Sequence, residues 1–307
     1  MLALSLALAA SLADAPAKPA PDVFLGRWNV RLTDVDDTFA GGGFKVERKD
    51  GGLAATIVWR FGSVLPAKKA EIDGATLRLV REEKPGKADV FEARLEGEKL
   101  VGQVTYADAK VHHFEGKRAP ELTSTAAPKW GAPVSVFDGK TLGGWTLRDP
   151  KAKMGWAVVN GELAVVEPKG NADLMSDSKF QDMKLHLEFN VEPHSNSGVY
   201  LRGRYEIQIL DDKEKATEEH GCGALYSRIA PKLDATKPAG EWQTFDLTLV
   251  GRRLTVVLNG KTTIDNALVD GITGGAINPF EGEPGPLMLQ GDHGKVRFRN
   301  IVVTPAP

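Results

Sequence analysis

MKLHLEFNVEPHSNSGVYLRGRYEIQIL, residues 183–210, alternates apolar and polar side chains through three successive runs. In the first, Met183, Leu185, Leu187, Phe189 and Val191 share one face of an extended chain, while Lys184, His186, Glu188 and Asn190 share the other. SGVYL and YEIQIL follow, separated by a corner at Gly203. A period of two sustained this long predicts antiparallel strands with one packed and one polar face, and the polar face collects Tyr200, Arg202, Glu206 and Gln208. Amides, a guanidinium and a carboxylate at alternating sites beside a tyrosine suit fixed recognition of hydroxyl groups better than solvation alone. Lys184 and His186 read as solvated.

Outward from this stretch the pattern continues. From Val134 onward the runs GWAVVNGELAVVE, EWQTFDLTLVGRRLTVVLNGK and GPLMLQGDHGKVRFRNIVV alternate with period two, and their Asn-Gly pairs mark tight turns. A 3.6-residue apolar stripe is missing, and DDKEKATEEH reads as a solvated loop or a single helical turn. Residues 134–305 are therefore expected to form a two-sheet jelly-roll β-sandwich. Upstream, 22–119 shows short runs spaced roughly ten residues apart with turns such as KDGG, which predicts a small antiparallel, half-barrel-like β domain. The Pro-, Ser-, Thr- and Ala-rich segment 120–133 reads as a linker. Residues 1–20 open apolar and turn Ala/Pro-rich, the pattern of a signal peptide, which predicts a periplasmic or secreted protein; their apolar run is short of the roughly 20 residues a membrane span needs.

A formal charge of −2 leaves no footprint for nucleic acid or an anionic membrane, so a small neutral partner is expected. The single cysteine, Cys222, excludes an intrachain disulfide and the cysteine-based zinc motifs, and reads as a packed small residue. Late in the chain, LMLQGDHG adds Gln290 and His293 beside glycines that allow a ligand close to the backbone; His293 reads either as a solvated turn residue or as part of a site. Among the aromatics Tyr200 is the best platform for the C–H face of a sugar, Tyr226 is a further candidate, and Trp156 and Trp242 read as core.

The ordered motifs FDGKTLGGW, GWAVVNGELAV, SNSGVYLRGRYEIQILD, GCGALY, PAGEWQTFDLTLVGRRLTVVLNGK and GPLMLQGDHGKVRFRNIVV resemble the bacterial 3-keto-disaccharide (3-keto-glycoside) hydrolase domains, a concanavalin A-like jelly-roll family. The resemblance spans about Val134 to Val303. It implies an all-β fold and cleavage of glycosides whose C3 hydroxyl a separate sugar 3-dehydrogenase has oxidised to a ketone. Such a ketone acidifies the C2 proton, so a base can remove it, an enolate can expel the C1 substituent, and water can then add. Carried over, the matching positions are Asn196, Arg202, Glu206, Gln208, Gln290 and His293. Glu206 or His293 is expected as base and Arg202 at the enolate oxygen, with Asn196, Tyr200, Gln208, Gln290 and Glu188 on sugar hydroxyls. No cofactor is required by this scheme, although a divalent metal bridging Glu206 and His293 is the alternative electrophile.

A retaining glycosidase would need two carboxylates facing one cleft, and the positions two and four after Glu206 are Gln208 and Leu210. Two other readings stay open: a lectin-like carbohydrate-binding module, which needs no base, and a keto-sugar isomerase, which needs the same base without cleavage.

Overall fold

In a computed structural model the described residues are 21–35, 39, 41–123 and 128–306. The leader expected over 1–20 lies outside them. Beyond a short 3-10 turn at Pro21–Phe24 they hold only strands, and no helix among them is long and apolar enough to cross a membrane. The all-β class read from the sequence is the class found.

The first nine strands are β1 (Gly26–Leu32), β2 (Gly41–Lys49), β3 (Gly52–Trp59), β4 (Leu65–Pro66), β5 (Lys69–Asp73), β6 (Thr76–Lys84), β7 (Lys87–Glu96), β8 (Lys99–Thr105) and β9 (Val111–Arg118). They form one antiparallel sheet in the order β4-β3-β2-β1-β9-β8-β7-β6-β5. Its two ends are consecutive in the chain, and between them Ala67 N donates to Ala55 O (2.7 Å) and Lys68 N to Val80 O (2.8 Å). One bent segment thus joins both edges, and the half-barrel closes into a barrel. Phe44, Trp59, Phe91 and Phe114 pack inside it largely edge-to-face, with ring centroids 4.8–6.3 Å apart. Gly102 makes room for them, since a Cβ there would lie 2.7 Å from the Phe114 ring and 2.3 Å from Glu92 O.

After the irregular segment 119–133 come β10 (Val134–Ser135), β11 (Trp145–Leu147), β12 (Trp156–Val159), β13 (Glu162–Val165), β14 (Leu174–Phe180), β15 (Met183–Val191), β16 (Asn196–Leu201), β17 (Tyr205–Leu210), β18 (Gln243–Val250), β19 (Arg253–Leu258), β20 (Lys261–Leu268), β21 (Gly285–Leu289) and β22 (Val296–Pro305). Eight of these form one antiparallel sheet, β12-β13-β22-β15-β18-β19-β20 with β10 on β22, and five form the other, β11-β14-β21-β16-β17. The apolar parity of β15 (Leu185, Leu187, Phe189) meets that of β16 and β17 (Val199, Leu201, Ile207, Ile209) in one core between the sheets.

The open edge of β17 is covered by a non-strand segment. Gln208 N donates to Ala224 O (3.0 Å), Gly223 N to Gln208 O (2.8 Å) and Tyr226 N to Glu206 O (3.0 Å). Barrel and sandwich meet through a buried ion pair, Arg27 to Glu281 (3.3 Å), whose carboxylate also accepts from Tyr205 Oη (2.9 Å).

Two expectations need correction here. Glu188 does not share a surface with β16 and β17, because β15 belongs to the other sheet. Its carboxylate pairs with Arg299 (2.6 Å) and accepts from Asn300 Nδ2 (2.5 Å) on the outer face of the eight-stranded sheet. Arg202 is also absent from the polar face. The strand ends at Leu201, Arg202 takes a left-handed φ of +54°, and its wholly buried guanidinium donates to Gln181 O (2.5 Å) and Asp182 Oδ1 (2.9 Å). It fastens the hairpin end to the β14–β15 corner.

Candidate functional site

The outer face of the five-stranded sheet, opposite the core, forms the floor of a cavity of about 510 Å³. Seven of the residues singled out from sequence line it: Asn196, Tyr200, Glu206, Gln208, Tyr226, Gln290 and His293. Parity explains four of them. Tyr200 stands directly across from Glu206 in the β16–β17 register, and Gly198 across from Gln208. Gly198 is what lets the Glu206 side chain fold over its neighbour, because a Cβ there would lie 2.4 Å from Glu206 Oε1. Gln290 arrives from the end of β21, where its backbone N donates to Gly198 O (2.9 Å), and its Nε2 reaches Glu206 Oε1 at 3.5 Å.

Glu206 is 4% exposed, and burial pushes its carboxyl up to about 8, with the nearby Asp173 charge adding to the rise; the Tyr200 hydroxyl and His293 pull the other way. His293 stands half-exposed, hydrogen-bonded to Asp292 (2.5 Å), and that contact raises its pKa. The site therefore holds a carboxyl that titrates close to neutrality beside an imidazole biased towards its cationic form. The buried amide oxygens of Asn196, Gln208 and Gln290, three residues of the cavity lining, find no hydrogen-bond partner within the protein.

Other wall residues were not picked out from sequence. Asp173, just before β14, pairs with Arg148 (3.3 Å) and accepts from Gly291 N (3.3 Å), and burial raises its pKa. Arg148 Nη2 also donates to Ala276 O (3.0 Å), which holds the 273–276 loop against the site. Asp292 stands next to His293 in the GDHG turn, where periodicity gives it no signal. Phe39, Phe61 and Gly62 come from the barrel, and a motif confined to the sandwich gives no signal for them. Tyr226 lines the cavity, whereas Trp156 is buried in the core and Trp242 lies under Arg299 (3.9 Å) on the far sheet. Among the described residues no three His, Cys, Asp or Glu side chains converge to hold a metal ion.

Comparison with known proteins places the sandwich in a family. A curated 3-keto-disaccharide hydrolase of Bacteroides thetaiotaomicron is 22% identical over 170 residues, 44% of this chain and 59% of that protein, so the match spans about three-fifths of the relative. The crystal structure at 2.13 Å of a candidate glycosyl hydrolase from Parabacteroides distasonis superposes on 62% of this chain and 97% of its own with a TM-score of 0.50 and 23% identity, which shows a shared fold. A second such protein from that organism, at 2.00 Å, covers 57% of this chain and all of its own, with a TM-score of 0.46 and 24% identity. The family model for the 3-keto-alpha-glucoside-1,2-lyase-like domain matches residues 132–304, more than half of the chain, and the protein belongs to that family.

Proposed function

We propose that the protein cleaves 3-keto-glycosides by elimination and hydration, with Glu206 as the general base. The observation that carries this reading is the buried Glu206 carboxyl, raised to about 8 and facing a cavity furnished with unpartnered amide acceptors. A base titrating near the working pH balances the fraction ionised against its appetite for a proton. In the scheme the Glu206 carboxylate takes the C2 proton, the C2–H electrons pass into an enolate on the C3 oxygen, and the enolate then expels the C1 substituent as the C1–O bond breaks. Water adds across the resulting double bond to complete net hydrolysis. With Arg202 fastened elsewhere, the cation available at the cavity is His293, which its Asp292 partner favours in the protonated state; it stabilises the enolate oxygen or protonates the departing oxygen. Asn196, Gln208 and Gln290 accept from sugar hydroxyls. The substrate presupposes an oxidation at C3 by a dehydrogenase, and the leader pattern is consistent with export.

The test is release of the C1 substituent from a 3-keto-glucoside and from the same glucoside unoxidised. Release from the keto compound alone is expected, with kcat/KM rising as pH climbs towards about 8, since the base form of Glu206 accumulates over that range, and falling again as His293 loses the proton the scheme requires. Glu206→Gln should lose about a hundredfold or more in turnover. Binding of both glucosides with release from neither would instead establish a carbohydrate-binding module, and exchange of solvent deuterium into C2 without release would establish an isomerase.

A further inference from the structure

Residues 60–64, the loop leaving β3 of the barrel, reach across to the sandwich and are held there along most of their length. Arg60 O accepts from Gly275 N (2.9 Å), and Val64 N donates to Ser227 Oγ (2.9 Å). Ser63 Oγ is 3.0 Å from His220 Nε2, and the His220 ring packs edge-on against Tyr226 in the cavity wall (5.0 Å). Gly62 lies so close to Gly274 that a Cβ on the latter would meet Gly62 O at 2.1 Å. Phe61 contrasts with this gripped backbone: its side chain is 58% exposed, yet it lines the same cavity as Glu206. It meets Phe39, also in the wall, with centroids 6.0 Å apart and ring planes at 81°. Arginine guanidinium groups stand against both rings, Arg148 at 3.6 Å from the Phe39 centroid and Arg60 at 5.5 Å from that of Phe61.

Holding an aromatic ring in water is unfavourable, and a loop anchored on both sides of Phe61 keeps the ring from retreating into the barrel core. Two rings near a right angle make an apolar corner that accepts a flat ring against one face and its edge against the other. Depth assigns the occupant. Glu206, at the floor, needs the sugar whose C2 proton it takes; the substituent on that sugar's C1 oxygen then points to the rim, where Phe61 stands.

We propose that the barrel supplies the leaving-group subsite, with Phe61 and Phe39 as a platform for a ring-shaped C1 substituent, either the C–H face of a second sugar or an aryl group. The proposal rests on the cleavage reading above.

The experiment compares kcat/KM of wild type and Phe61→Ala on 3-keto-glucosides carrying methyl, glucosyl or phenyl at C1. The preference for ring-bearing substituents over methyl should fall about tenfold, mostly through KM, and Phe61→Trp should restore it. Equal loss for glucosyl and phenyl supports a general ring subsite; loss confined to one of them supports a subsite for that class. A preference that does not change, or a methyl glucoside that suffers as much as the others, overturns the proposal. Should the wild type cleave none of these compounds, the cleavage reading fails, and calorimetry with the unoxidised glucosides decides the subsite separately. Weaker binding of only the ring-bearing ligands by Phe61→Ala supports it, and equal binding or none overturns it.

Discussion

Glu206→Gln keeps the size of the side chain and an acceptor oxygen for Tyr200 and Gln290 while deleting the charge. In the unfolded chain the carboxyl ionises near its ordinary 4.5; in the fold it ionises near 8, because burial disfavours the anion. Between those values the folded protein holds a proton that the unfolded chain has lost, so the wild type loses stability as pH rises through the window, and the loss stops growing above it. At about 1.4 kcal/mol per pH unit, the penalty is about 1 kcal/mol at pH 5 and approaches about 4–5 kcal/mol above pH 8. Glutamine carries no such penalty. The stability difference, variant minus wild type, should therefore grow by roughly 3–4 kcal/mol in favour of the variant between pH 5 and pH 9, with titrations remote from the site cancelling because both proteins share them. Urea unfolding followed by tryptophan fluorescence at several pH values measures it without any substrate. A difference that stays flat from pH 5 to pH 9 would falsify the claim that Glu206 is buried and protonated near neutrality, and with it the pH dependence expected of the base.

Two further substitutions separate site from scaffold. Gly198→Ala places a methyl 2.4 Å from Glu206 Oε1, so the carboxylate must move while the sheet persists; turnover should drop about tenfold or more with an unchanged circular dichroism spectrum, and full turnover would show that the position of the carboxylate does not matter. Arg202→Met removes the cation buried against Gln181 O and Asp182, and should cost about 3 kcal/mol of stability while turnover per folded molecule changes less than about twofold; a large loss of turnover in folded protein would return Arg202 to the chemistry.

Parity in the chain was enough to put Tyr200, Glu206 and Gln208 on one face, since a strand alternates wherever it lies. Parity does not say which sheet a strand joins. Glu188 has the same alternation as Glu206, but the turn at 192–195 carries the chain from one layer to the other, and the two polar faces end on opposite outsides of the sandwich. Arg202 failed for a more local reason: extrapolating alternation past Leu201 assumes extended backbone, and a left-handed φ at a non-glycine residue leaves no mark in the sequence. Asp173 and Asp292 sit on loops, where periodicity is silent and placement depends on contacts more than 100 residues away, such as Asp173 with Gly291 N. Barrel closure was equally hidden, because it depends on two very short strands, Leu65–Pro66 and Lys69–Asp73, that look like one loop.

The segment laid along the edge of β17 has a bearing on how the molecule fails. It is tethered to that strand by the exposed run Glu214–Glu219, an accessible place for a protease to cut. If the cut chain then loses its hold through Cys222 and Leu225 in the core, YEIQIL is left with a free row of N–H and C=O groups, a six-residue, β-prone sequence of the kind that recruits strands from other molecules. The same event carries off Tyr226 and the backbone partner of Glu206. Nicked protein should therefore disappear from solution as it disappears from the assay, and specific activity measured on what stays soluble would look undamaged throughout.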